Sequence, residues 1–236
     1  MINEHFFDDR DSLIRALLSD CESRLQTAVE HRGKASLLVS GGSTPEPLYQ
    51  QLSLAPLPWS DICVALVDER WVDPSQAGSN ETFVKTHLLQ QQAASAQFIP
   101  MKNASSTAAS GEEDCEQSYQ QLPRPFDLVV LGMGPDGHTA SLFPHAQGLD
   151  AALNPDREQL CAAITATPST VTGTLTERMS LTLHGLLQSR QLHLLITGEE
   201  KLAVYKAARE NRDYTQTPVS AVLNQQQVPV LVYWAP

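Results

Sequence analysis

Apolar positions along the chain follow two spacings in turn. From Asp11 to His31 they recur every three or four residues, at Leu13, Leu17, Cys21, Leu25 and Val29. That spacing predicts a helix stopped at Gly33. The next apolar run, Ala35–Val39, is continuous and too short for a helix, so it reads as a strand. Ser43-Thr44-Pro45 then offers a cap with proline in the first turn, opening a helix through Leu52. Ile62–Val67 is a second strand, followed by a helix from about Asn80 to Leu89. Gln97–Met101 is a weak strand, Thr107–Leu122 a polar helix interrupted by Gly111, and Phe126–Leu131 the strongest strand. Leu160–Thr165, Leu192–Thr197 and Val228–Trp234 complete the strands, with a helix over Glu199–Glu210. Continuously apolar strands separated by helices predict a mostly parallel sheet covered by helices on both faces, an α/β fold.

No repeat or composition shift divides the chain, so residues 1–236 are expected to form one domain. The polar stretches 90–97, 103–111 and 165–176 read as surface loops or helix ends. With 16 basic and 27 acidic residues the net charge is −11, which argues against non-specific nucleic-acid binding and against an anionic membrane surface. An anionic small molecule stays admissible, because a local site can be basic on an acidic protein. No apolar run approaches the ~20 residues of a spanning helix, and the first residues lack a secretory leader's pattern. A cytoplasmic protein is expected. Cys21, Cys63, Cys115 and Cys161 are far apart, which points to buried reduced thiols rather than to zinc or disulfides.

Four unusual segments each follow a predicted strand: Ser40-Gly-Gly-Ser-Thr-Pro45, Asp68-Glu-Arg70, Gly132-Met-Gly-Pro-Asp-Gly-His138 and Gly198-Glu-Glu-Lys201. In a parallel sheet such segments share the carboxyl rim, where ligands bind. Gly41 and Gly42 permit close backbone approach, and Ser43 and Thr44 add hydroxyls before a helix N-terminus. A phosphate ester fits that arrangement, and so does an ordinary tight turn before a capped helix. Gly132, Gly134 and Gly137 match a dinucleotide fingerprint in form only, since Asp136 would repel a pyrophosphate. His138 is the best proton-transfer candidate, with Asp136 placed to orient its imidazole. Arg70 suits a carboxylate, a phosphate or a developing oxyanion. A surface ion pair is the plainer reading of Arg70, and equally of Arg178 and Lys201. The remaining histidines show no ligand spacing, so neither a metal nor another cofactor is expected.

These segments, with Trp71-Val72, Ser79-Asn80, Thr139-Ala-Ser-Leu-Phe-Pro144 and Glu177-Arg178-Met-Ser-Leu-Thr182, resemble the lactonase branch of the glucosamine/galactosamine-6-phosphate isomerase–6-phosphogluconolactonase family, in order and over nearly the whole chain. The resemblance implies a Rossmann-like, single-domain α/β fold of the sugar-phosphate isomerase type. It implies hydrolysis of 6-phospho-D-glucono-1,5-lactone to 6-phosphogluconate, in the oxidative pentose phosphate pathway. The implied catalytic residues are His138, Asp136 and Arg70. Those implied to bind substrate and its phosphate are Gly41, Gly42, Ser43, Thr44, Asn80, Arg178 and Lys201. The deaminase branch carries a glutamate five residues after the histidine, and Phe143 stands there instead. The Phe143 ring is expected to pack beneath the loop. The alternatives are a glucosamine-6-phosphate deaminase/isomerase and a non-catalytic sugar-phosphate-binding regulator module. The latter usually carries an N-terminal DNA-binding domain, whereas this chain is expected to open on the first helix of the fold. The partner implied is the small-molecule lactone, with no nucleic acid and no membrane, and a monomer or weak homodimer.

Overall fold

The computed structural model describes all 236 residues. In chain order the elements are β1 (Ile2–Phe6), α1 (Arg10–Arg32), β2 (Ala35–Val39), α2 (Glu46–Leu52), β3 (Ile62–Leu66), β4 (Asp68–Arg70), α3 (Asn80–His87), β5 (Gln97–Ile99) and α4 (Ala108–Tyr119). They continue with β6 (Leu128–Leu131), α5 (Leu149–Leu153), β7 (Cys161–Thr165), β8 (Glu177–Leu181), α6 (Leu183–Leu187), β9 (Leu192–Thr197), α7 (Glu199–Glu210), α8 (Val219–Asn224) and β10 (Val230–Ala235).

Seven strands form an all-parallel sheet in the order β1-β10-β9-β6-β2-β3-β5. From β2 the chain steps outward to β3 and β5, then returns to β6 on the other side of β2 and steps outward to β9 and β10. The winding direction therefore reverses between β2 and β6, and the carboxyl ends of those strands border a crevice. Every residue of β2, β3 and β6 is buried, as expected of strands covered on both faces. The α1 helix lays Leu13, Leu17, Cys21 and Leu25 onto this sheet. It begins where the Asp9 carboxylate accepts the Ser12 N–H at 2.6 Å and ends at Gly33, whose φ of 72° suits glycine. No helix is long and apolar enough to cross a membrane.

Several elements depart from the sequence reading. The chain opens on β1, before α1, so the first helix is not its first element; β1 pairs in parallel with β10. Leu160–Thr165 does not join the parallel sheet. As β7 it runs antiparallel to β8, which runs antiparallel to β4, in a separate three-stranded sheet. An apolar run reports burial and leaves pairing direction open. The outer edge of β7 is covered by α4: the N–H groups of Cys161 and Ala163 donate to the carboxylates of Glu116 and Glu112 at 2.9 and 2.7 Å. Gly111 does not interrupt α4. It is buried in mid-helix, where a Cβ would lie 2.4 Å from the Trp71 ring. All four cysteines are buried and free.

Candidate active site

The crevice at the carboxyl ends of β2 and β6 holds a cleft of about 280 Å³. The four rim segments meet there, and Gly41, Gly42, Ser43, Thr44, Arg70, Asn80, His138, Arg178 and Lys201 all line it. Asp136 is the one predicted site residue that does not line it, and it sits against His138.

The loop after β2 positions the first group. Gly42 has φ of 98°, which carries the chain through an extra turn, so α2 starts only at Glu46. The expected Ser43 cap is therefore not formed: Pro45 occupies the N-cap position and no side chain caps the helix. The Ser43 and Thr44 hydroxyls are left for other partners, and the N–H groups of residues 41–44 have no acceptor within the protein. Gly41 is required by a close approach, because a Cβ there would lie 2.0 Å from the Asn80 side-chain oxygen.

The loop after β6 carries His138. Its Nδ1 lies 2.5 Å from Asp136 Oδ1, which also accepts the His138 backbone N–H at 3.2 Å. Burial alone would raise the Asp136 carboxyl; the hydrogen bond and charge of His138 outweigh it, and the pKa lies below the usual carboxylate value. Nδ1 is thus engaged, leaving Nε2 as the ring nitrogen without a protein partner. A Cβ at position 134 would lie 2.1 Å from His138 Nδ1 and 2.6 Å from Asp136 Oδ1. Only glycine lets the imidazole rest on this backbone. Gly134→Ala is accordingly expected to displace the His–Asp pair and lower kcat roughly tenfold or more, with the melting temperature little changed. Steady-state kinetics together with a thermal melt would test this, and an unimpaired kcat would refute it.

The Phe143 ring packs beside His138 as expected, with centroids 4.3 Å apart and only 4% exposure. Its surroundings are less apolar than the sequence suggests, because the Arg178 guanidinium lies 5.2 Å from its centroid. Arg178, 4% exposed, donates to the carbonyls of Leu175 and Thr172 at 2.8 and 3.0 Å. Arg70 donates to the Gly78 carbonyl at 2.5 Å, while its buried Nε has no partner. Arg70 and Arg178 stand directly opposite each other in the β4–β8 ladder. Like charges so placed repel, and an anion in the cleft would relieve them. Burial pushes the Arg178 pKa down, the Asp68 charge opposing it and Arg70 reinforcing it. Lys201, half-buried in the first turn of α7, is likewise pushed down by desolvation, against Glu200. A desolvated cation of this kind gains from an anionic ligand.

Two acidic residues beside Arg70 were not singled out from sequence. Asp68 lines the cleft, accepting from Ser141 Oγ at 2.6 Å and, through its backbone carbonyl, from Asn80 Nδ2 at 2.9 Å. Glu69 points the other way and is fully buried. Their motif gave a signal, but which side faced the cleft depends on strand orientation. Val171, in a stretch read as a surface loop, also lines the cleft. No group of three or more His, Cys, Asp or Glu side chains is arranged to hold a metal ion.

This geometry can bind an anion at one end and move a proton at the other. Comparisons with known proteins bear on the chain as a whole. A family model described as glucosamine-6-phosphate isomerases/6-phosphogluconolactonase matches residues 8–233. The chain is 38% identical over 234 residues to a 6-phosphogluconolactonase of Rhizobium meliloti (strain 1021), covering 99% of each chain. It is 39% identical to one from Pseudomonas aeruginosa, over 94% of this chain and 90% of that one. The crystal structure of a 6-phosphogluconolactonase from Shewanella baltica OS155 superposes with a TM-score of 0.94 at 44% identity, covering all of this chain and 98% of that one.

Proposed function

The chain belongs to the glucosamine-6-phosphate isomerase/6-phosphogluconolactonase family, and on that premise we propose that it hydrolyses 6-phospho-D-glucono-1,5-lactone to 6-phosphogluconate in the oxidative pentose phosphate pathway. The observation that carries this reading is the His138–Asp136 pair, 2.5 Å apart on the rim of a cleft walled by two facing arginines. A lactone carbonyl is already electrophilic, so the chemistry needs an activated water and a place for the developing charge. His138 takes a proton from water through Nε2 as that oxygen bonds to C1, and the carbonyl electrons move onto oxygen. Asp136 holds the tautomer this requires. Arg70 orients the lactone and stabilises the oxyanion. As the intermediate collapses the C1–ring-oxygen bond breaks, and the protonated His138 returns its proton to the departing oxygen.

The phosphate is gripped by the N–H groups around Gly41 and Gly42, the hydroxyls of Ser43 and Thr44, and the charges of Arg178 and Lys201, with Asn80 alongside. A phosphate monoester carries roughly −1.5 to −2 charge near pH 7, so two cations suit it. This remote binding places the reactive carbonyl. Lys201→Ala and Arg178→Ala are therefore expected to raise KM more than they lower kcat. A variant with unchanged KM and a collapsed kcat would move that residue to the chemical step. The same reading has residues 1–236 acting as one unit in the cytoplasm, as a monomer or weak homodimer, without cofactor, nucleic acid or membrane. Its direct test is release of 6-phosphogluconate from freshly prepared lactone, corrected for spontaneous hydrolysis. A rate equal to the uncatalysed one would overturn it.

A further inference from the structure

Glu69 is a buried carboxylate with no ion-pair partner, set between two residues of the cleft. Asp68 and Arg70 lie on one face of β4 and line the cleft; Glu69 lies on the other and is 0% exposed. Its Oε1 accepts the N–H groups of Arg70 and Asn80 at 2.8 and 2.7 Å. Its Oε2 accepts the Glu81 N–H at 2.7 Å and the Ser79 hydroxyl at 3.2 Å. Helix α3 already has a cap of its own, since Ser79 Oγ accepts the Thr82 N–H at 3.2 Å. That bond serves Thr82 alone. Glu69 takes up the two free N–H groups ahead of it, those of Asn80 and Glu81, and in doing so ties the backbone of Arg70 to the first turn of another element.

From that turn the connection continues. Asn80 reaches back to the Asp68 carbonyl through Nδ2, and its side-chain oxygen occupies the space a Cβ would need on Gly41. One carboxylate thus relates Arg70 to the glycine loop, the two groups assigned above to opposite ends of the substrate. Burial costs a carboxylate stability, and here it pushes the Glu69 pKa up to about 7, against the opposing pull of the Asn80, Glu81 and Arg70 N–H groups. A side chain serving packing alone would be better replaced by an apolar one.

We propose that Glu69 is a positioning residue that sets the separation between the lactone-orienting Arg70 and the phosphate-gripping glycine loop. The proposal rests on the lactonase reading. An unphosphorylated lactone cannot occupy both ends, so it is insensitive to that separation. The test is Glu69→Gln, which keeps the volume but presents an amide donor to N–H groups. KM for 6-phosphogluconolactone is expected to rise about tenfold, roughly the loss of one charge-assisted hydrogen bond. The kinetics on glucono-1,5-lactone should stay within about twofold, so that preference for the phosphorylated substrate falls. Glu69→Asp, charged but one methylene too short to span both elements, should fail to restore it. Equal losses on both lactones, or an unchanged preference in the folded variant, would overturn the proposal. If Glu69→Gln does not fold, Ser79→Ala, which removes one of the four donors together with the α3 cap, carries the same comparison, read as the change in preference between the two lactones rather than as a loss on either. Should the unmodified protein hydrolyse neither lactone, the lactonase reading fails by itself. Calorimetric titration with 6-phosphogluconate then tests Glu69: weaker binding by the variant supports positioning, and equal binding refutes it.

Discussion

Replacing His138 with alanine is expected to leave a folded protein whose kcat on 6-phosphogluconolactone falls by about 10²–10⁴-fold, the usual worth of a general base. The fold should survive because the loop is held by bonds that do not use the imidazole. Gly134 N–H donates to the His138 carbonyl at 2.9 Å, Val219 N–H to the Gly137 carbonyl at 2.9 Å, and Thr139 Oγ1 to the Gly132 carbonyl at 2.8 Å. The alanine variant retains all three. What it loses is the ring nitrogen facing the cleft, the bond to Asp136 and the tilted ring contact with Phe143. Because the substrate opens spontaneously in water, the measurement is the enzyme-dependent rate after subtraction of a protein-free control. A folded variant with a near-native kcat would remove His138 from the chemical step.

Phe143 supports that histidine from below, and its truncation should show in stability first. Phe143→Ala leaves a cavity at a site 4% exposed, at a cost of about 3–5 kcal/mol. For a chain of this length that corresponds to a fall of roughly 10 °C in Tm. Loss of the ring also frees the imidazole to tilt, so kcat should fall with it, and a differential scanning experiment paired with kinetics reads both. A Tm within a degree or two of the unmodified protein would show the ring to be dispensable. The same residue separates the two enzymes of the family. With no carboxylate at position 143, glucosamine 6-phosphate should yield no ammonia. Phe143→Glu should not supply that activity, because the new carboxylate would face Arg178 and draw it from its bonds to Leu175 and Thr172. Ammonia release rivalling lactone hydrolysis would reverse the assignment.

What could be read from the chain, and what could not, follows the physics of each signal. Strands β2, β3, β6 and β9 were legible because burial on both faces demands an unbroken apolar run. β1 was not: Asn3, Glu4 and His5 are exposed, and Ile2 is its least exposed residue. β8 begins Glu177-Arg178 and holds its place by pairing with β7, a tertiary fact with no local trace. Helices of five or six residues, α5, α6 and α8, are too short to display a helical period. At the site, His138 and the glycine loop stood out because rim loops carry residue types that a core does not tolerate. Asp68 and Glu69 were seen only as part of a motif, since their opposite roles depend on which face of a three-residue strand meets the cleft. The Ser43 cap failed for a similar reason, the left-handed turn at Gly42 having delayed the helix to Glu46 and left the hydroxyl two residues short of the cap position.

The carboxylates of Glu112 and Glu116 bear on how the molecule behaves among copies of itself. A strand at the border of a sheet normally leaves alternate amides open, a template on which a strand from a neighbouring molecule can add. Along β7 the outward amides of Cys161 and Ala163 are already bonded to side chains of the same molecule, and the caps are anionic. A stranger's backbone would have to displace two charge-assisted hydrogen bonds, and also the Arg157 guanidinium, which pairs with Glu112 at 2.7 Å and already occupies the Cys161 carbonyl at 3.0 Å. This border is therefore closed to growth by strand addition. Glu112→Ala/Glu116→Ala would reopen it, turning a guarded margin into an adhesive one at high protein concentration.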